Sequence, residues 1–271
     1  MPHAKLMSKK EPMLSVIMPA YKEEKTIIQD LCGLESILRQ IRFPYEIICV
    51  VDGSPDRTLA KARQTASSTI KILTYSQNMG KGYAVRHGMG HAKGDYIAII
   101  DAGMEIDPNG ISMLLEHMEW YNADIIVGSK RHPASQVKYP VFRKIISRLY
   151  QLFVWVFSGL SVSDTQVGLK LYRKKVIKAV LPRLLVKGYA FDLEVLAVAH
   201  HLGFTRIYEA PIKLKYSFLA LNHAVNFKYM LLALRDTLAI IYRLRILHYY
   251  DDANRKNWIP NIHLKSNNED A

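Results

Sequence analysis

A chain of 271 residues with 49% hydrophobic and 23% charged residues is long enough for a sizeable core, and its composition excludes a disordered or fibrous protein. Its formal net charge is +13, and thirteen cations against a single acid, Asp164, between Gly128 and Gly188 place +12 of it in one segment. Such a block attracts phosphates, whether on nucleic acid, lipid head groups or a small substrate, while two lone cysteines in apolar runs, Cys32 and Cys49, exclude a disulfide framework and fit a reducing, cytoplasmic setting.

Residues 1–12 are polar, carry no secretory signal and read as a flexible N-terminus. Leu14–Tyr21 (LSVIMPAY) then predicts a strand, and Lys25–Ile41 a helix. Tyr45–Val51 is a second strand, ending in DGSPDRT, whose Gly, Ser, Pro and Asp mark a turn and helix start. Ile70–Tyr75 is a third, followed by a glycine-punctuated loop that runs into a helix through Ser76–Ala92. Tyr96–Asp101 is the fourth, followed by a helix over Pro108–Trp120 with proline in its first turn. Ala123–Ser129 is the fifth. Alternation of helices with near-continuous apolar strands predicts an α/β fold, a mainly parallel sheet covered by helices. Ligands on such sheets bind beyond the carboxyl ends of the strands, where Tyr21, Asp52 and Asp101 fall.

After Gly128 the rhythm changes. Asp164–Tyr172 (DTQVGLKLY) predicts a further strand, and Phe191–His201 a helix closed by Gly203. Thr205–Ala210 and Ile212–Tyr216 predict a short strand pair around Pro211, and the polar chain beyond Asp251 a loose tail. Two stretches invite a membrane reading. Leu149–Leu160 is shorter than the roughly 20 apolar residues of a span, and Tyr229–Leu247 carries Arg235, Asp236, Arg243 and Arg245. Both predict helices lying against something apolar, the protein's own core or a membrane surface.

Several chemistries are excluded by motif. Gly80-Lys81-Gly82 lacks the eight-residue phosphate loop, no G-x-G-x-x-G follows the first strand, no Cys/His cluster has zinc spacing, and no G-x-S-x-G elbow occurs. What remains is a sheet edge bearing hard oxygen ligands, suited to Mg²⁺ or Mn²⁺ on a diphosphate.

SVIMPAYKEE, VVDGSPDRT, NMGKGYAVRHGM and GDYIAIIDAG, joined by VGSKRHP, DTQVGLKLYR and YAFDLEVLAVA, lie in order within Leu14–Tyr216. Together they resemble family 2 glycosyltransferases of the GT-A, Rossmann-like nucleotide-sugar fold, and within them the dolichyl-phosphate glucose and mannose synthases. DTQ-x-G-x-K stands nearer the glucose type. The resemblance implies a family 2 domain over 13–218, an amphipathic membrane-associating helix over 219–250 and a polar tail over 251–271. It also implies an inverting, metal-dependent transfer of glucose or mannose, from UDP-glucose or GDP-mannose, to a polyprenyl phosphate. The enzyme would be peripheral on the cytoplasmic face of an anionic membrane and would have no nucleic-acid partner. Pro19, Tyr21, Glu23, Asp52 and Lys81 would hold the donor, Asp101 and Glu105 the Mg²⁺ or Mn²⁺, and Lys130, Arg143 and Ser147 the acceptor phosphate. Asp164, Gln166, Asp192 and Glu194 would support them, and Trp155 would anchor the lipid side.

The sequence departs from the family at three places: Val51 precedes Asp52, no arginine follows Pro211 (Lys213 or Lys215 stands in), and Gly103 replaces the second aspartate of the metal motif. An extended chain after Asp101 would point residues 101, 103 and 105 the same way. A phosphate nucleophile is already anionic, so no general base is needed. Two alternatives stay open: transfer to a glycan hydroxyl, with Asp192 or Glu194 as base, and a catalytically inactive nucleotide-sugar-binding protein, suggested by Gly103. A nucleic-acid binder ranks last, because the basic segment is interleaved with aliphatic residues.

Overall fold

The computed structural model describes residues 11–135, 155, 159–160, 162–188, 190–214 and 227–258, with the side chains of 227–230 excepted. Arg143, Ser147, Lys215, both termini and most of Leu149–Leu160 lie outside the described residues. Seven strands form one sheet: β1 (Leu14–Ala20), β2 (Tyr45–Asp52), β3 (Ile70–Tyr75), β4 (Tyr96–Ile100), β5 (Ile125–Ser129), β6 (Leu169–Arg173) and β7 (Ile207–Pro211). Their order is β3-β2-β1-β4-β6-β5-β7. Only β6 runs antiparallel to its neighbours β4 and β5; the other pairings are parallel. Every residue of β1, β4 and β5 is buried, as strands covered on both faces must be, and this is why their sequences are near-continuous apolar runs, interrupted only by the buried Ser15 and Ser129.

The helices α1 (Ile27–Leu38), α2 (Thr58–Arg63), α3 (Lys81–His91), α4 (Gly110–Trp120), α5 (Lys174–Val180), α6 (Phe191–His201) and α7 (Phe227–Arg245) cover the sheet and extend it. Helix α1 buries Ile27, Leu31, Leu34 and Leu38, a single stripe at helical spacing. Gly203, at φ +87°, follows α6 in the left-handed conformation that suits a residue just past a helix end.

Two expectations are corrected. The described part of the second expected strand, residues 212–214, does not pair with β7: β7 pairs in parallel with β5, and Leu214 makes an isolated bridge to Ile106. The chain beyond Asp251 is not loose at once. Residues Asp252–Asn257 form a 3₁₀ turn, closed by Arg183 on Asp252 at 2.6 Å, by the same guanidinium 4.1 Å from the Trp258 ring centre, and by Trp258 Nε1 donating to the Tyr249 carbonyl. Helix α7 docks on the body by one face. It buries Thr237, Ile240 and Leu244 against the body while Leu231, Leu234, Leu238 and Tyr242, and Ile246 just past its end, stay exposed. No helix among the described residues is long and apolar enough to cross a membrane.

Candidate active site

Strand order places the site. The chain winds from β1 outward through β2 to β3, then returns to β4 on the other side of β1, so a crevice opens where β1 and β4 part, beyond their carboxyl ends. Pro19 sits two residues past the last β1–β4 pairing, Ile17 with Ile99, where a missing N–H leaves no gap in that ladder. Tyr21 is exposed and Glu23 half-buried at the β1 end of this crevice, and Asp101 follows β4 directly.

Lys81 Nζ stands 2.7 Å from both Asp101 oxygens. Lys81 opens α3, and a cation at a helix N-terminus opposes the dipole. The pairing with Asp101 offsets that cost, and the helix end with its ammonium forms a place for an anion. The Lys81 turn is held from behind: Gly82 N–H donates to the Lys187 carbonyl at 2.8 Å, and a β-carbon on Gly82 would come within 2.6 Å of Phe191 Cβ. Asp101 is closely walled as well. A β-carbon on Gly168 would stand 2.2 Å from Asp101 Oδ2, so the glycine of DTQVG is the residue that lets the start of β6 pass the carboxylate.

The chain after Asp101 is not extended. Gly103 at φ +80° and Met104 at φ +48° turn it sharply, so residues 101, 103 and 105 do not share a direction by alternation. The turn is tied down by Gly103 N–H donating to Asp30 Oδ2 at 2.9 Å. A β-carbon on Gly103 would lie 3.9 and 4.0 Å from the two Glu23 oxygens, so Glu23 borders the space a second aspartate would use. Burial raises the Glu23 carboxyl above its ordinary range, and the charges of Asp30, Asp56 and Glu105 raise it further, against a hydrogen bond from Thr26. Carboxylates that repel one another beside Asp101 are hard oxygen donors suited to a divalent cation. Among the described residues no group of three Asp, Glu, His or Cys side chains is arranged to hold a metal ion by itself. A magnesium-type ion on a diphosphate needs only one or two protein carboxylates, because phosphate oxygens and water complete its shell. The oxygen donors bordering this turn are of the type such an ion takes, and one or two of these carboxylates would be enough to hold it.

Asp52 has a different task from the one expected. It is buried, and its oxygens accept from Tyr75 OH (2.8 Å), Asn78 Nδ2 (3.0 Å), Met79 N–H (2.7 Å) and Gly80 N–H (2.9 Å). Four donors saturate the carboxylate, leaving no lone pair directed at a ribose. Asp52 instead shapes the loop that presents Lys81. Asn78, not singled out by sequence, is part of the same device.

Asp192 and Glu194, expected as supporting residues and, in the alternative reading, as a base, are both engaged inside the structure. Asp192 accepts from Lys170 Nζ at 2.7 Å with both side chains buried. Glu194 is fully buried and accepts from Leu185 N–H, Val186 N–H and Tyr250 OH. Burial raises its carboxyl, with these donors opposing. Both carboxylates brace the structure and neither faces the crevice as a base. The basic segment is likewise not one open face: Lys170, Lys175 and Arg183 pair with Asp192, Asp124 and Asp252, and Arg173 donates to the Ala123 carbonyl.

On the acceptor side, Lys130 follows β5 and its N–H donates to Asp164 Oδ2 at 3.3 Å. Glu209 on β7 holds the same turn, its Oε1 accepting from Ser163 N–H, Ser163 Oγ and Asp164 N–H. Glu209 had no signal in the sequence beyond being a lone acid in a strand. Gln166 is exposed beside Asp164, and Trp155 is exposed.

A model of glycosyl transferase family 2 matches residues 15–181. The chain is 33% identical over 205 residues to a dolichyl-phosphate beta-glucosyltransferase of Drosophila melanogaster, covering 70% of this chain and 63% of that one. It is 31% identical over 217 residues to the protein so named in Dictyostelium discoideum, covering 73% and 66%, and 30% over 210 residues to that of Saccharomyces cerevisiae, covering 70% and 63%. The match thus spans a little under two thirds of each relative's length. Among solved structures, glucosyl-3-phosphoglycerate synthase from Mycobacterium tuberculosis, in complex with Mn²⁺, UDP-glucose and phosphoglyceric acid, superposes with a TM-score of 0.62. It is 16% identical, over 85% of this chain and 79% of that one. Mannosyl-3-phosphoglycerate synthase from Rubrobacter xylanophilus gives 0.66 at 16% identity, over 89% and 77%. Identity this low speaks for the fold alone, which is the GT-A nucleotide-sugar fold. Since the family match runs from β1 through the Asp101 turn to the end of α5, the chain belongs to glycosyl transferase family 2.

Proposed function

We propose that this protein transfers a hexose from a nucleoside diphosphate to a polyprenyl phosphate, with inversion, and that the hexose is glucose and the donor UDP-glucose. The observation that carries the reading is the identity of 30–33% to three relatives that are all named dolichyl-phosphate beta-glucosyltransferase; mannose from GDP-mannose is the lesser choice. Tyr21 and Glu23 border the donor's nucleoside end, and Lys81 with the α3 N-terminus receives the diphosphate. Asp101 and Glu105 would hold Mg²⁺ or Mn²⁺, which supplies charge neutralisation on the leaving diphosphate. Lys81 adds a second cation there and fixes the Asp101 carboxylate. Lys130, with Arg143 and Ser147, would grip the acceptor phosphate.

The site favours a phosphate nucleophile over a sugar hydroxyl. A hydroxyl needs a base within hydrogen-bond reach, and Asp192 and Glu194 are both engaged in buried bonds. A phosphate oxygen needs only positioning. Membrane contact would be peripheral, through the exposed stripe of α7 and cations left outside internal pairs, on the cytoplasmic face. Gly103 favours a second reading, a nucleotide-sugar-binding protein without turnover. Incubation with radiolabelled UDP-glucose or GDP-mannose, polyprenyl phosphate and Mg²⁺ or Mn²⁺, followed by organic extraction, decides between them. Label in the lipid phase from UDP-glucose, abolished by chelator, is expected. Tight UDP-glucose binding with no lipid product would establish the second reading instead.

A further inference from the structure

We propose that Glu209 is a positioning residue, which holds residues 163–168 as a bridge between the acceptor side and the donor side of the crevice; the assignment of those two sides rests on the function proposed above. The sheet order creates the bridge. β6 runs antiparallel between β4 and β5, so the chain that enters β6 must arrive at the carboxyl ends of both neighbours. Asp101 follows β4 and Lys130 follows β5, and residues 163–168 therefore cross from one to the other. At one end Lys130 N–H donates to Asp164 Oδ2 at 3.3 Å. At the other, Gly168 lies so close to Asp101 that a β-carbon on it would stand 2.2 Å from Oδ2. Thr165 and Val167 between them are buried.

The two ends of the bridge are held by different means. Near Gly168, Lys170 Nζ donates to the Val167 carbonyl and is itself fixed by Asp192 at 2.7 Å, with both side chains buried. At the start of the segment one atom does the holding. Glu209 Oε1 accepts from Ser163 N–H at 2.8 Å, from Ser163 Oγ at 2.7 Å and from Asp164 N–H at 3.2 Å. Bonds to an ionised acceptor are roughly twice as strong as neutral ones, so a shorter side chain would leave three donors unmet. The register fits this division: Val127 of β5 pairs with Lys170 on one side and with Glu209 on the other, so the two anchors stand in one row across the sheet.

The Glu209 end reaches Lys130 by a second route. Ser163 Oγ lies 3.2 Å from Ser129 Oγ, which accepts from Arg131 N–H at 3.2 Å, so the residues on both sides of Lys130 are tied to the same turn. Ser135 Oγ donates to the Ser129 carbonyl at 2.5 Å and accepts from Ile212 N–H, just past β7, at 3.0 Å. Loss of the Glu209 carboxylate would therefore free the Lys130 turn while Lys170 and Asp192 keep Gly168 against Asp101. The consequence is one-sided: the acceptor should suffer and the donor should not.

The test compares Glu209→Ala with Glu209→Gln, which keeps an oxygen for the same donors, in the full chain. The readouts are transfer of labelled glucose from UDP-glucose to dolichyl phosphate in detergent, UDP affinity by calorimetry, and amide hydrogen exchange. Glu209→Ala should raise the acceptor KM at least about tenfold, the worth of one charge-assisted contact, with UDP affinity unchanged. Glu209→Gln should restore the acceptor KM. The amides of Lys130, Ser163 and Asp164 should exchange faster in Glu209→Ala and at the wild-type rate in Glu209→Gln, with the β6 amides unchanged in both. Should Glu209→Ala not fold, Ser163→Ala removes one donor to the same oxygen and should raise the acceptor KM at least about threefold; an unchanged KM there overturns the proposal. Equal loss in Glu209→Gln and Glu209→Ala also overturns it, because Glu209 would then act through its charge. So does a loss of UDP affinity that matches the rise in acceptor KM. A wild type that makes no lipid-linked glucose refutes the function proposed above and leaves the bridge to stand or fall on the exchange pattern.

Discussion

Gly168→Ala tests the geometry around Asp101 directly. The new β-carbon would stand 2.2 Å from Asp101 Oδ2, 2.8 Å from its Cγ and 3.4 Å from its Cβ. Ordinary van der Waals contact begins near 3.4 Å, so the carboxylate must retreat by about 1.2 Å. Lys81 Nζ, 2.7 Å from both oxygens, cannot follow far, because its helix is docked on Lys187 and Phe191. A misplacement on the order of 1 Å in a positioning group costs roughly 100-fold in rate, or about 2.7 kcal/mol of barrier. The assay is transfer of labelled glucose to polyprenyl phosphate, with UDP affinity and thermal unfolding measured in parallel. A fall of about 100-fold in kcat/KM with the fold retained is expected. Gly33→Ala is the control, since a β-carbon there meets nothing within 4 Å. Wild-type kcat/KM in Gly168→Ala would refute the reasoning, because it would mean that the carboxylate's position against β6 does not matter.

Asp52→Ala leaves Tyr75 OH and the N–H groups of Met79 and Gly80 without acceptors and should destabilise the fold by roughly 3 kcal/mol or more in urea titrations; loss of nucleotide affinity without loss of stability would show that Asp52 binds ligand after all. Glu105→Ala should lose metal-dependent turnover nearly as fully as Asp101→Ala, read as a shifted Mn²⁺ titration, whereas unchanged metal dependence would leave Asp101 as the only supported protein ligand. Gly103→Asp places a side chain at φ +80° and a carboxylate beside Glu23, and should cost on the order of 1 kcal/mol in thermal unfolding. Glu194 has a carboxyl raised by burial, so its contribution to stability is complete below the ordinary carboxylate pKa and is lost as pH rises through its higher folded value; stability against pH should therefore fall across that window in the wild type and stay flatter in Glu194→Gln.

The sheet was legible because its signal is local and repeated. Strands such as Tyr96–Ile100 and Ile125–Gly128 carry no charged side chain and are apolar nearly throughout, as burial on both faces demands. The carboxylate at the end of β4 followed from the same rule. Pairing partners were less visible: nothing in Ile207–Pro211 says that it will lie in parallel beside β5 rather than fold back on Ile212–Tyr216, since both choices satisfy the same alternation. Polar residues were harder still, because a carboxylate's role depends on which donors reach it. Asp52 in a Gly-Ser turn looks the same whether it meets a ribose or four groups from the end of β3 and the loop after it. Asp192 and Glu194, in the first turn of a helix, look like exposed acids until Lys170 and the 185–186 backbone are seen to hold them inside. The glycines mislead in the opposite sense. Gly103 reads as a lost ligand, yet its left-handed backbone is what turns the chain toward Asp30 and brings Glu23 alongside. The side chain absent at 103 is thus answered by an acid from β1's end, eighty residues earlier in the chain, and the negative charge of the site comes from several elements rather than from one motif.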